Sequence, residues 1–416
     1  MGVGGTGVRG YMAADSGASK GALGPFCYEN WKAAAAGAPS QGALEYPLFS
    51  DSQITGPSAP SATGAPAVTH GPYQLFNAIA MGNRTRPAIV LRVEGHWSGE
   101  LDPAWHRKTN TGRYHGGDLA DEIAAIVSLC LGIRTKSGEL TRVFGWDTEP
   151  RGRPLSSIRE PDPIVPPTRT PPLLSRALLT NAHNLDSTAP LARLLSLTPG
   201  QAVALVRAAR SYQEAMWIAE GAPETAWLLF VSAVEIAANQ WRAEDEDPVD
   251  RLRASRTGEK VERLLRERSG DDEDEFVAQV AALLADSMRA TKKFTDFMMA
   301  FLPDPPTERP HEFYQLSWEP PAMKKSLAKV YGYRSDALHG GIPFPAPMCA
   351  VPHRHDGLAA ETPGTAHSAL GAVWTKKDLP MLLHTFEYIV RGALLKWWQS
   401  MIGQDGQTPV DEADHE

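Results

Sequence analysis

Pro320-Pro-Ala-Met-Lys-Lys-Ser-Leu-Ala-Lys-Val-Tyr-Gly-Tyr-Arg-Ser-Asp-Ala-Leu-His-Gly-Gly341 decides how the C-terminal half of this chain is read. The two prolines permit a helix start, and Met323, Leu327, Val330 and Tyr331 follow at helical spacing. Gly340 and Gly341 supply a left-handed stop, with Pro343 and Pro345 beyond it. Arg334 and His339 therefore fall at the end of one predicted helix, whose negative dipole end favours a protonated imidazole. Arginine holds a phosphate through a forked pair of charged hydrogen bonds and keeps its own proton while doing so. Histidine is the side chain best able to move protons near neutral pH. Together they suit cleavage of a phosphodiester, and RNA is the substrate they predict. A surface Arg–carboxylate pair with a capping histidine is the plainer use of the same residues.

Positions five apart point about 140° away from each other on a regular helix, so Arg334 and His339 do not share a face. Either the last turn is distorted, or two copies of the helix meet across a twofold axis. An isologous dimer does the second naturally, because it apposes the same residues from both chains. A homodimer is predicted on that ground.

Upstream, Trp227-Leu-Leu-Phe-Val-Ser-Ala-Val-Glu-Ile-Ala-Ala238 sets Glu235 in the middle of an apolar helical run, where an unpaired carboxylate is costly to bury. It must find a partner, and Arg334 is the obvious one if the two helices touch; an interface salt bridge that sets dimer register is the plainer alternative. These two stretches resemble the HEPN superfamily, and the glycines after His339 resemble its Apea-like branch. The resemblance covers roughly the second half of the chain. It implies a helical bundle that dimerises and, in active members, a metal-independent RNase. Arg334 and His339 would then be catalytic, Ser335 would occupy the usual polar position, and Glu235 would brace Arg334. A toxin or antiviral-defence role comes with the same likeness, and so does the alternative of a non-catalytic dimerisation or binding module.

The 416 residues suffice for two or more domains with substantial cores. No apolar run reaches the length of a membrane-spanning helix, and the start lacks a basic segment followed by an apolar core, so neither membrane insertion nor a secretory leader is predicted. Cys27, Cys130 and Cys349 are odd in number and far apart, which argues against a disulfide framework and fits a reducing cytoplasm. A formal charge of −8 excludes a broad nucleic-acid coat; RNA contact must be a local basic groove.

The predicted fold class is α+β, a small α/β N-terminal module followed by a mainly α-helical bundle. Residues 1–71 are rich in Gly, Ala, Ser and Pro and read as a flexible low-complexity segment, with Phe26, Trp31 and Tyr46-Pro-Leu-Phe49 able to dock. Residues 72–153 form the α/β module, with strands at 73–79, 88–93 and 140–146 and a helix from Asp118 to near Gly132. Residues 154–184 read as a proline-rich connector, 185–402 as the helical domain and 403–416 as an acidic tail. Within the helical domain Ser187-Thr188 caps a first helix, Thr198-Pro199 opens a long one and Pro223 starts the helix carrying Glu235. Further helices are predicted at 259–268, 276–301 and from about Asp378, and Asp271–Glu275 reads as a solvated cap.

Lys108, Arg113 and His115 flank Gly116-Gly117 just before the Asp118 helix, where backbone amides could bind an anion; a turn meeting its own capping demands is the alternative. Cys349, His353, His355 and His367 carry zinc-ligand chemistry but match none of the tight spacings, so no metal or other cofactor is predicted and the segment reads as a mobile loop over the Arg334/His339 site. No nucleophile elbow, phosphate-loop lysine motif or dinucleotide fingerprint is present.

Overall fold

The computed structural model describes residues 23–56, 67–77, 87–96, 115–145, 151–155, 162–167, 169, 171–174, 183–241, 256–267, 275–277, 280 and 290–403. Strands concentrate early in the chain and long helices late, so the fold class is α+β. Two compact units account for it: residues 1–167, 176–217 and 398–416 form the first, and residues 168–175 and 218–397 the second. Residues 185–217, which periodicity had placed with the helical half, thus belong with the sheet.

The first unit is built on an antiparallel sheet. Its strands are β1 (Ala43–Phe49), β2 (Ala67–His70), β3 (Tyr73–Asn77), β4 (Pro87–Glu94), β5 (Lys136–Ser137), β6 (Arg142–Phe144) and β7 (Arg153–Pro154). They run in the order β2-β3-β4-β1-β6-β7, with β5 also on β1. β1 pairs with β4 from Ala43 opposite Glu94 to Leu48 opposite Ile89, with a register shift at Phe49. This strand lies inside the stretch predicted to be flexible, and so does helix α1 (Phe26–Ala35). Small residues hid both elements. The few large side chains there are the ones that pack: Tyr28 and Phe49 are buried, and the Trp31 ring meets Tyr73 edge-on at 5.8 Å.

Period-2 alternation turns Ile89, Leu91 and Val93 of β4 inward at 0–1% exposure, beside Tyr73 and Leu75 of β3. Helix α2 (Leu119–Leu131) is buried at every residue except Asp121, as befits a helix apolar on all sides. Asp118 caps it and Gly132 ends it in the left-handed conformation, as predicted. Residues 185–196 form a 3-10 run with Pro190 inside, capped by Asn184 instead of Ser187-Thr188. Thr188 is buried within it, donating to the Leu185 carbonyl and bonding the His70 ring. Helix α3 (Pro199–Ile218) then opens at the reciprocal Thr198–Gln201 cap.

The second unit holds α4 (Pro223–Trp241), α5 (Arg256–Arg266), α6 (Ala290–Ala300), α7 (Pro320–Gly340) and α8 (Leu383–Gly403), the last belonging to it through Trp397. Its core is aromatic. Trp227 of α4 stacks between Phe344 and Phe386, with centroids at 5.3 and 4.6 Å, and Phe297 meets Trp241 and Trp397 edge-on. Residues 271–274 lie outside the described residues, as do most of those between 276 and 289. The last helix starts at Leu383 and not at Asp378, because Pro380 keeps Leu379 out of helical conformation; Asp378 closes a short 3-10 turn with Thr375 instead. The segment predicted as a mobile loop forms two small hairpins, Arg354–His355 with Leu358–Ala359 and His367–Ala369 with Ala372–Trp374. Arg309 anchors this region by gripping buried Glu361 with two bonds at 3.0 and 2.6 Å.

Candidate functional site

Helix α7 buries Met323, Leu327, Val330 and Tyr331 against the aromatic core, and this stripe carries Arg334 on the same side of the helix. The helix is regular to Gly340. Gly341 then adopts a left-handed φ of 65°, and the amides of Gly341 and Ile342 both close on the Asp336 carbonyl. A distorted last turn is therefore not what unites Arg334 with His339: within one chain they point about 140° apart.

Arg334 does meet Glu235. Its Nη2 donates to Glu235 Oε2 at 2.8 Å, and the Tyr331 hydroxyl donates to Oε1 at 2.7 Å. The guanidinium carbon also sits 5.5 Å over the Tyr331 ring. Both oxygens of Glu235 are thus engaged, and the Arg334 and Glu235 side chains are each 20% exposed. Burial, then the hydrogen bond to Glu235, holds the Tyr331 hydroxyl well above the usual phenol range, so it remains a donor. Arg334 has donors to spare. Its Nε is buried with no acceptor, and Nη1 has none among the described residues.

His339 is exposed in the last turn of α7. Ser335, four positions earlier and half-buried, lies about 40° from it around the helix, so the serine shares a side with the histidine and not with Arg334. Leu338 and Ile342 flank His339 and are 52% and 60% exposed. The preceding turns are fixed from outside. Lys329 binds the Asp378 carboxylate at 2.9 Å, and the Tyr333 hydroxyl donates to the Asp378 carbonyl at 2.6 Å.

The other predicted residues separate. Lys108 and Arg113 lie outside the described residues. His115 is buried, and the first amides of α2 are taken: Asp118 accepts from Ala120 and Asp121, while Asp121 accepts from the Asp118 amide. The amides of Asp118, Ala120 and Asp121 are thus engaged within the turn's own capping box. No group of three or more His, Cys, Asp or Glu among the described residues could hold a metal ion. Cys349 ends the 3-10 turn Ala346–Cys349 and is buried, so desolvation pushes its thiol up to about 12, and the His353 ring packs on Tyr314 at 5.6 Å.

The sequence reading missed the hydroxyl of Tyr331 as the second ligand of Glu235. Its signal was available, since Tyr331 and Arg334 stand three apart and share a helix face. Comparison with protein-family models, curated proteins and solved structures finds no match to this chain. Among the described residues no helix is long and apolar enough to cross a membrane.

Proposed function

We propose that the helical unit is a metal-independent endoribonuclease of the HEPN type, acting as a homodimer on RNA in the cytoplasm, with toxin activity or antiviral defence as its setting. One observation carries this reading: Arg334 is held by Glu235 and lies against the Tyr331 ring, yet its Nη1 has no acceptor among the described residues. A brace of that kind restrains the guanidinium before substrate arrives, so little ordering cost remains when a phosphate binds. Arg334 holds the scissile phosphate and offsets charge gained in the transition state. His339 takes the proton of the RNA 2′-hydroxyl and returns it to the departing 5′-oxygen. The 2′-oxygen bonds to phosphorus as the P–O5′ bond breaks, leaving a 2′,3′-cyclic phosphate and a 5′-hydroxyl. Ser335, on the His339 side, orients that end of the site.

A second reading is a non-catalytic dimerisation or binding module. It is favoured by the engagement of Arg334 with Glu235 and by the turn of His339 away from it within one chain. One experiment separates the two. Purified protein is incubated with RNA in excess chelator, beside Arg334→Ala and His339→Ala. Chelator-resistant cleavage that falls about 10²–10⁴-fold in His339→Ala, with cyclic-phosphate ends, supports the nuclease. An intact dimer that leaves RNA uncut supports the binding module.

A further inference from the structure

In the first unit, the Gly116-Gly117 turn before α2 meets α3 at a corner where several buried polar atoms have no partner among the described residues. His115 is 7% exposed, and neither ring nitrogen has a hydrogen-bond partner among the described residues. Arg210 donates from Nη2 to the Gly116 carbonyl at 2.5 Å, while its Nη1 is buried without an acceptor. The guanidinium packs directly on the turn: a Cβ on Gly116, whose φ is +98°, would stand 3.2 Å from Arg210 Nε, and one on Gly117 would stand 2.6 Å from Nη1. The left-handed φ of Gly116 favours glycine there, and a side chain at either position would have to displace the guanidinium. Arg207 lies one turn earlier on α3 and is exposed; burial first, and then its charge, hold the His115 imidazole below its ordinary pKa. Three acidic neighbours are engaged elsewhere: Glu122, which feels the Arg210 charge, accepts from the amides of Phe26 and Cys27. Asp118 and Asp121 are bound to backbone amides, and Asp121 also accepts from Ser137.

Buried donors without acceptors are costly and rare in native proteins. Here they gather on His115 and Arg210, with the Arg207 guanidinium at the rim. An acceptor-rich anion answers all of them. A carboxylate offers two oxygens, whereas a phosphate monoester offers three terminal ones, one for each of His115, Arg207 and Arg210, and up to two charges for the two guanidinium groups. We propose that His115, Arg207 and Arg210, set around the Gly116-Gly117 turn, form a binding site for a phosphate monoester group. The group comes from inorganic phosphate or from the 5′-phosphate of a nucleotide, and the site is independent of the nuclease reading.

The test titrates the full chain calorimetrically with sodium phosphate and, separately, with adenosine 5′-monophosphate at matched ionic strength. Carbon-13-labelled histidine resonances are followed in parallel. Saturable binding that moves the His115 resonance is expected, weakened about tenfold in Arg210→Lys by loss of a charge-assisted hydrogen bond. Arg207→Gln, at an exposed position, weakens it several-fold and keeps the test valid if the Arg210 variant fails to fold. Tighter binding of the nucleotide assigns the site to nucleotide phosphate, and equal or weaker binding assigns it to the free ion. No saturable binding of either ligand overturns the proposal, and so does binding unchanged in Arg207→Gln with a stationary His115 signal.

Discussion

Glu235 and Glu122 present the same sequence signature, a carboxylate inside an apolar helical run, and the structure gives them opposite surroundings. Glu235 of α4 lies at the rim of its unit, 20% exposed, with a guanidinium on one oxygen and a phenol on the other. Glu122 of α2 is 0% exposed and accepts hydrogen bonds from the amides of Phe26 and Cys27 at the start of α1. Desolvation, partly offset by those bonds, pushes Glu122 up to about 7. Glu235 holds a cation near solvent, whereas Glu122 caps the start of a helix in the core.

The comparison breaks most visibly through Glu122→Ala. That change orphans two amides of α1 and leaves a cavity, so urea unfolding at pH 6 should show a loss of about 3 kcal/mol. A loss under 1 kcal/mol would mean that Glu122 does not hold α1. Next in size is a pH effect. The carboxyl of Glu122 is raised from 4.5 to about 7, so the folded chain binds the extra proton. Its stabilisation is complete below the unfolded pKa and is lost as pH rises through about 7. Between pH 5.5 and 8 the wild type should lose about 2 kcal/mol relative to Glu122→Gln, which has no proton to release. Parallel profiles for the two proteins would place the carboxyl at an ordinary pKa.

Smaller effects sharpen the Glu235 side. Glu235→Gln keeps the shape but removes the charge facing Arg334, and a cost of about 1–2 kcal/mol is expected from chemical denaturation. Tyr331→Phe removes one hydrogen bond and should cost about 1 kcal/mol or less. If the nuclease reading is correct, Tyr331→Phe weakens RNA binding while the Glu235–Arg334 pair persists, and its activity falls less than that of Glu235→Gln. Equal losses would deny the phenol a separate part in the brace.

Most of the helical unit was legible because long periodic runs with prolines before them and glycines after them leave few alternatives. Gly341 fell where the stop was predicted, and the pairing of Glu235 with Arg334 followed from the cost of a lone carboxylate in an apolar run. The first unit was read less completely. Its sheet runs through β1, a strand of Ala, Leu, Glu, Tyr, Pro, Leu and Phe set in a Gly/Ala-rich segment, and composition there outweighed pattern. Long-range pairing decides such a strand, and no local window contains it. Glu122 went unnoticed because its partners are backbone amides 95 and 96 positions away, which carry no side-chain signal. At the candidate site the residue identities were readable, but the turning of Ser335 toward the His339 side followed only once α7 proved regular to its end.

The measurement that bears most directly on the central claim mixes two dead proteins. Arg334→Ala and His339→Ala are purified separately, then exchanged into mixed dimers whose formation is checked by native mass spectrometry. If each cleft takes its arginine from one copy and its histidine from the other, every mixed dimer rebuilds one of two clefts, and RNA cleavage should return to about a quarter of wild type. Mixed dimers that form yet leave RNA uncut, while the wild type cleaves it, would contradict a cleft shared between two copies.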